Sequence, residues 1–487
     1  MKCEIKLLNA KGEAEKAFSG ETGETLYSAL IKAGVSIQAP CGGHGKCGKC
    51  RVKAFGAIDV DADGTCLCCK TVLKGDCAIQ PIEHTAQIQL EGITRQYETD
   101  GEKGLGVAVD IGTTTIAAYL CSLEDGRVLA SESMLNPQKV HGADVISRIM
   151  FVNTDAGNPK VLADEIHDAI SRLIASMLHK AGFEGCRIEK ISLVGNTTIM
   201  HLTGRYSTLG ISKAPYLPEY TSEHIRDYYG LPAVFGGCIS GFVGADTVAA
   251  MLACGFDKAS ETIMLIDIGT NGEIALKKGD VIYACSCAAG PAFEGAHIAC
   301  GIGGVAGAVD HIKLDQDSIT YTTIGGQTPC GICGSGIVDA VSCLLAKEEI
   351  DFKGRMKERF HITDSVYIAP EDIREIQLAK AAIASGVEIL ASSAGISVKD
   401  IDRVYLAGGF GTYISIDSAC RIGLLPPELK TKIHPVGNAA GDGAKMLLLS
   451  DRYRKTAEIL RQNTVYVDLS AQEEFEDIYA EKLMFND

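Results

Sequence analysis

Residues 105–122 read LGVAVDIGTTTIAAYLCS, and the fold is decided by how this stretch is read. It is an apolar strand ending at Asp110, a tight turn, and a second apolar strand from Ile116. Small and β-branched apolar residues run almost unbroken on both sides, which predicts a buried hairpin. Gly112 frees the backbone for φ > 0 and for close approach of a ligand. Thr113, Thr114 and Thr115 supply hydroxyls, and successive N–H groups in such a turn form an anion-binding concavity. Asp110, at the strand end, is placed to hold Mg²⁺ through water. The pattern is a phosphate clamp on a hairpin, not a glycine-rich loop opening a helix.

Short Gly/Thr turns are common, and one alone specifies little. This one recurs. Residues 263–279, IMLIDIGTNGEIALKKG, repeat the strand, the Asp-Ile-Gly-Thr and the second strand. Asp267, Gly269, Thr270, Asn271 and Glu273 occupy the corresponding places, 157 residues after Asp110. A duplication at that domain-sized offset predicts two similar halves facing each other across a cleft.

At 487 residues the chain is long enough for two to four domains with sizeable cores. Its 46% hydrophobic and 22% charged fractions are those of a soluble globular protein. A net charge of −16 argues against general affinity for nucleic acid or anionic lipid. No apolar run approaches about 18 uncharged residues, so no membrane span is expected. The N-terminus alternates like a strand and hairpin rather than a signal peptide. The 19 cysteines therefore read as reduced thiols and metal ligands in a cytoplasmic chain, not as disulfides.

Residues 1–85 form a first module. After the hairpin, GETLYSALIKAG predicts a short amphipathic helix on Leu26, Leu30 and Ile31, stopped by Gly34. Then PCGGHGKCGKC crowds Cys41, Cys47 and Cys50 into one glycine-rich loop, and TCLCCKT returns thiols downstream. Three thiolates in a loop plus one remote is the ferredoxin pattern for a [2Fe–2S] cluster, one residue longer in its first gap than the plant-type spacing. Gly42, Gly43, Gly45 and Gly48 let the backbone wrap such a cluster and aim N–H groups at its sulfurs. A four-cysteine zinc site is the alternative; those usually pair two C-x2-C knuckles, and the glycine-rich loop holds one. Cys66, Cys68 and Cys69 all lie within reach as the fourth ligand. Residues 86–104 are polar and glycine-containing and read as a linker on which the module could swing.

The duplicated unit, 105–487, divides into a first half of about 105–258, a second of about 259–435, and closing helices 436–487. A long amphipathic helix is expected over about 161–181. ISLVGNTTIMHL (191–202) is a strand ending in a turn where Asn196, Thr197 and Thr198 either bind a ligand or cap a helix. GADTVAAMLACGF (244–256) predicts a helix ended by Gly255, with Asp246 in its first turn. Glu294 in AAGPAFEGAHIACGIGG is a candidate Mg²⁺ or water contact. Cys285 with Cys287, and Cys330 with Cys333, suggest a second metal site only weakly, because buried free cysteine is common. GICGSG offers backbone donors at a helix N-terminus. VYLAGGFGTY (404–413) runs a strand into Gly408, Gly409 and Gly411, a bare backbone suited to an adenine or ribose.

The helix at 244–256 resembles the Asn-Asp-Thr-Val…Cys-Gly-Tyr helix of hexokinases, where the aspartate is the catalytic base. Together DIGTTT, GADTVAAMLACG, DIGTNGE, AGGFG and GNAAGDGAK, in this order, resemble the phosphate 1, connect 1, phosphate 2, adenosine and connect 2 motifs of the actin, sugar-kinase and heat-shock chaperone ATPases. The implied fold is a β-grasp ferredoxin-like module followed by an actin-like ATPase of two ribonuclease H-like halves. A ferredoxin module fused ahead of that ATPase, with NPQ…GADVISRI, VGNTT, GPAFEGA and GICGSG, resembles the reductive activators of corrinoid proteins. In similar ferredoxin-like modules the return motif is Leu-Ala-Cys-Gln-Thr, so the resemblance makes Cys69 the fourth ligand and puts Cys68 at the alanine. It also implies ATP with Mg²⁺ near Asp110 and Asp267, and Asp246 orienting the attacking group.

The activity the resemblance implies is ATP-dependent return of a methyltransferase partner's Co(II) corrinoid to Co(I), with electrons from a low-potential donor. Every 59 mV of one-electron deficit costs about 1.4 kcal/mol, which ATP can offset by favouring one conformation. Longer members carry a middle domain associated with dimerisation between linker and ATPase. Here Asp110 follows the linker too closely for one, so a homodimer is left open. Three alternatives stand beside this reading: an activator of a 2-hydroxyacyl-CoA dehydratase, a small-molecule kinase with a redox domain, and a nucleotide-gated electron carrier without turnover.

Overall fold

The computed structural model describes residues 2–9, 12–33, 35, 37, 50–81, 90, 92–93, 95–142, 144–315 and 318–486. The chain forms two compact units, one of Met1–Thr85 with Pro137–Phe151, the other of Ala86–Asn136 with Val152–Asp487. The segment Pro137–Phe151, expected within the first half of the duplicated unit, thus groups with the N-terminal module.

In the first unit β1 (Lys2–Leu8), β2 (Ala14–Glu21), β3 (Arg51–Gly56), β4 (Thr65–Leu67) and β5 (Cys77–Pro81) form one sheet in the order β2-β1-β5-β3-β4. β1 and β5 run parallel and the other neighbours antiparallel. The helix Leu26–Lys32 starts where the Thr25 hydroxyl accepts the Ser28 N–H at 3.2 Å. It buries Leu26, Ala29 and Leu30 with Ile5, Val52, Leu73 and Ile79. Cutting Leu30 to Ala in such a small core costs about 2–5 kcal/mol. This is the expected β-grasp. The expected helix stop, Gly34, lies outside the described residues.

The second unit holds the duplication. Its first sheet comprises β6 (Leu105–Ile111), β7 (Thr115–Ser122), β8 (Val128–Leu135), β9 (Ile188–Gly195), β10 (His224–Tyr228) and β11 (Leu231–Phe235), ordered β10-β11-β9-β6-β7-β8. The second comprises β12 (Ile263–Ile268), β13 (Gly272–Lys278) and β14 (Val281–Cys287). A small sheet of β15 (Ala308–Asp315), β16 (Ser318–Thr323) and β17 (Gly331–Ile332) and a ribbon of β18 (Phe360–His361) and β19 (Tyr367–Ile368) follow. Then β20 (Arg403–Ala407), β21 (Ile433–Gly437) and β22 (Thr464–Tyr466) complete the second sheet as β21-β20-β12-β13-β14-β22.

The strings β11-β9-β6-β7-β8 and β21-β20-β12-β13-β14 match strand for strand. In each, a hairpin meander continues into two parallel strands. Val107, Val109 and Ile111 in one hairpin and Met264, Ile266 and Ile268 in the other are fully buried. That is why these strands read as continuous apolar runs rather than alternating ones. The long helix spans Asn158–Ala181, starting three residues before the expected point because Pro159 opens it.

Two helices, Ala245–Ala253 and Ala439–Leu449, cross at Gly443, where a Cβ would stand 2.1 Å from the Ala249 carbonyl oxygen. Only glycine permits that approach.

Residues 86–104 read as a linker, and part of that stretch lies outside the described residues. The described part of 90–104 is tied to the second unit. The Tyr119 hydroxyl donates to the Leu90 carbonyl at 3.0 Å, and the Tyr97 hydroxyl donates to Asp442 at 3.1 Å. Asp100 accepts from Ser450 and the Asp451 N–H at 2.7 and 2.8 Å. The polar composition that reads as freedom is the set of side chains making these bonds.

Candidate active site

Each turn hairpin carries an aspartate one residue before the end of its first strand. In the first, Ile111 pairs with Ile116 and the turn runs Gly112–Thr115. Asn136, just past β8, holds that turn. Its backbone N–H donates to the Thr114 carbonyl at 2.9 Å and its side chain to the Gly112 carbonyl at 2.8 Å. Asn196 is a helix cap, and its side chain also reaches the first turn. Its Oδ1 caps the helix Thr197–Gly204 at the Ile199 N–H, 2.9 Å, and its Nδ2 donates to the Thr113 hydroxyl at 3.0 Å. In the second hairpin Ile268 pairs with Gly272 and the turn runs Gly269–Asn271, closed by the Gly269 N–H on the Asn271 carbonyl at 2.9 Å.

Glu294 joins the two turns. Its carboxylate accepts the Thr114 hydroxyl at 3.1 Å and the Thr270 hydroxyl at 2.7 Å. The duplicated turns therefore face one cleft, close enough for one carboxylate to span them. Glu294 ends the short turn Pro291–Glu294, and Gly295, at φ 78°, follows with Ile302 so close that a Cβ would stand 2.5 Å from its backbone.

Asp110, Asp246, Asp267 and Glu273 are half-buried. Burial, then the Asp246 charge, push Asp110 up to about 7, opposed by the Asn438 amide, which donates to it at 3.0 Å. Burial and then Asp246 push Asp267 up to about 7. Burial lifts Asp246 to about 6 against the Thr247 N–H, which its carboxylate accepts at 2.8 Å. Glu273, directly across the ladder from Asp267, is raised well above the carboxylate range by burial, Asp246 and Asp267, with the Ser286 hydroxyl opposing. Among the described residues, no Lys or Arg charge offsets these four carboxylates.

Uncompensated carboxylates on a cleft floor fit a divalent cation. Among the described residues no three His, Cys, Asp or Glu side chains are set to hold a metal directly. The donor set therefore suits a hydrated ion, as Mg²⁺ prefers, rather than an all-protein cage.

Gly408 lies against Asp267, where a Cβ would stand 2.6 Å from Oδ1, and its φ is +87°. Gly411 packs on Leu406, Gly409 is exposed, and Phe410 stacks on Phe293 at 4.8 Å. A Cβ on Gly334 would stand 2.1 Å from the Phe293 carbonyl oxygen, so GPAFEGA, GICGSG and AGGFG converge on one wall. Sequence reasoning passed over Asn136 and Asn438. The signal for Asn438 was its position before Ala-Ala-Gly-Asp, where its Oδ1 caps the helix at the Gly441 N–H, 2.7 Å.

In the first unit the Cys50 and Cys69 sulfurs lie 3.2 Å apart, and the Cys69 N–H points at the Cys50 sulfur at 3.4 Å. Cys68 is wholly buried, and burial pushes its thiol up. Cys66 and Cys77 are also buried, and burial raises both thiols. Cys41 and Cys47 lie outside the described residues. Two thiols within reach of one iron, one with an N–H directed at its partner, fit an iron–sulfur centre.

Known proteins share this design. Residues 261–487 match the family described as the C-terminal domain of RACo, the ASKHA domain, and residues 105–259 match the RACo middle region. The corrinoid activation enzyme RamQ of Eubacterium limosum is 33% identical over 78% of this chain and 70% of its own length. The chain belongs to the corrinoid-activator family. A second activator relative, the [Co(II) methylated amine-specific corrinoid protein] reductase of Methanosarcina barkeri, is 27% identical over 78% of this chain and 77% of its own. A solved structure described as a reductive activator for corrinoid, iron-sulfur protein superposes with a TM-score of 0.73 at 25% identity, covering 99% of this chain and 98% of that one.

These matches correct the expected loss of a middle domain. The activator family's middle region is present as residues 105–259, the first half of the duplication. It went unseen because it carries the first phosphate-type turn and so reads as part of the ATPase.

Proposed function

We propose that the chain is an ATP-dependent reductive activator that returns the Co(II) corrinoid of a methyltransferase partner protein to Co(I). The observation that carries this reading is one chain of the activator family holding both a thiol pair, Cys50 with Cys69, and a cleft where two threonine turns meet over uncompensated carboxylates.

In this reading Thr113, Thr114, Thr115, Thr270 and the backbones of Gly112, Gly269 and Asn271 bind phosphate oxygens. Asp110 and Asp267, with Glu273 behind, hold hydrated Mg²⁺. Asp246 orients the attacking water, and its raised proton affinity suits a group that accepts a proton. Gly408, Gly409 and Gly411 line the nucleoside end. Cys41, Cys47, Cys50 and Cys69 hold a [2Fe–2S] cluster, which supplies one-electron transfer when bound. An upstream low-potential donor, a cytoplasmic setting and a homodimer complete the proposal. No helix among the described residues is long and apolar enough to cross a membrane.

The test is optical and anaerobic: the protein, a Co(II) corrinoid methyltransferase subunit from the same organism, reductant, and Mg·ATP. Co(I) absorbance that grows only with ATP is the expected result. ATP hydrolysis with no Co(I) from any of several corrinoid partners would turn the reading toward a kinase or a dehydratase activator. For the cluster, Cys69→Ser is expected to lose the visible iron–sulfur absorption and Cys68→Ala to keep it. The reverse outcome would move the fourth ligand to Cys68.

A further inference from the structure

We infer that the described residues of segment 90–100 are a strap gripped by the two crossing helices, and that a nucleotide in the cleft loosens that grip. This rests on the nucleotide reading above and adds how the cleft reaches residues 90–100 of the same unit.

Each of the two helices has one part in the cleft and another on the strap. Ala245–Ala253 carries Asp246 in its first turn, and the Ala253 carbonyl at its far end accepts from the Arg95 guanidinium. Ala439–Leu449 begins at Asn438, the donor to Asp110. One turn on, Asp442 accepts from the Ile93 N–H and from the Tyr97 hydroxyl. At the helix end the Leu449 carbonyl accepts the Asp100 N–H at 3.1 Å.

A second connection is shorter still. The Asn438 Nδ2 that donates to Asp110 also donates to the Tyr119 hydroxyl at 3.2 Å, and that hydroxyl donates to the Leu90 carbonyl at 3.0 Å. Asp110, Asn438, Tyr119 and the strap thus form one hydrogen-bonded chain. Asp442 is buried with Lys445 at 2.6 Å, and the Lys445 ammonium sits over the Tyr119 ring at 4.4 Å and the Tyr97 ring at 5.4 Å. Bonds in so dry a place are strong and strongly interdependent.

The direction follows from Asp110. Without a cation its donor is Asn438. A hydrated cation and phosphates in the cleft take over that carboxylate and release the Asn438 amide. The helix start then loses its anchor. Because the helices touch backbone to backbone at Gly443 and Ala249, a shift in one moves the other. The Asp442, Arg95 and Leu90 contacts weaken together, and the strap is freed.

Hydrogen exchange of residues 90–100 in the full chain tests this, with nucleotide binding measured in parallel by equilibrium dialysis. Saturating Mg·AMPPNP is expected to speed exchange in the strap about tenfold. Unchanged or slower exchange with nucleotide bound overturns the inference and leaves the activator reading standing. Failure to bind nucleotide overturns both. Tyr97→Phe is expected to speed strap exchange in nucleotide-free protein toward the nucleotide-bound rate while ATP hydrolysis stays within about twofold. Arg95→Met should do the same from the other helix. Wild-type exchange in both variants would also overturn the inference.

Discussion

The two turn hairpins share a strand order yet treat their aspartates differently. Asp110 faces Ala117 across its ladder and is met by the Asn438 amide. Asp267 faces a second acid, Glu273, and has the bare Gly408 backbone against it. The first hairpin therefore balances its charge with a neutral donor from a helix that can move. The second places two acids side by side, and burial with their mutual charge raises the proton affinity of Glu273. Two hairpins of one strand order thus differ in their partners: the first is bonded to Asn438, and the second sets two acids side by side.

The largest expected effect comes from the residue both hairpins share. Asp246→Asn should lower phosphate release by about a hundredfold or more with nucleotide affinity little changed. A rate within a few-fold of wild type would show that neither hairpin depends on it. Gly408→Ala and Asn438→Ala then set the two sides against each other. The first forces a side chain at φ +87° into Asp267 and is expected to cost about 1–3 kcal/mol in a denaturant titration. The second removes a helix cap as well as the Asp110 bond, at about 1–2 kcal/mol, and should also raise strap exchange. Equal strap exchange in the two variants would erase the distinction drawn here.

The smallest effect is electrostatic. Asp110, Asp246, Asp267 and Glu273 have folded-state proton affinities above those of an unfolded chain. Between about pH 4 and 7 the folded state therefore binds more protons than the unfolded, and stability without Mg²⁺ falls as pH rises. Glu273→Gln should flatten that slope in thermal melts and raise the melting temperature of Mg²⁺-free protein near neutral pH. Asn438→Ala should steepen it, because the amide favours the charged Asp110. A Glu273→Gln protein with the wild-type slope would mean the second hairpin carries no excess charge.

Much of this was legible beforehand. DIGTTT and DIGTNGE placed Asp110 and Asp267 at strand ends because continuous apolar runs allow no other buried arrangement. The thiol spacing placed Cys50 near a returning cysteine. The middle region was misjudged because, as half of a duplication, it resembles the other half more than an inserted domain. The strap was misread because Tyr97 and Asp100 look like linker residues until their partners, Asp442 and Ser450, are brought some 350 positions closer by folding.

By itself the sequence determined the two turn hairpins and the helix bearing Asp246, since local periodicity, turn chemistry and spacing act over a few residues. Tertiary structure alone decided that Glu294 spans both turns, that Gly408 meets Asp267, and that Asn438 serves the cleft and the strap at once. Those contacts depend on where separate elements stop against one another, and that is set by the packing of the whole core.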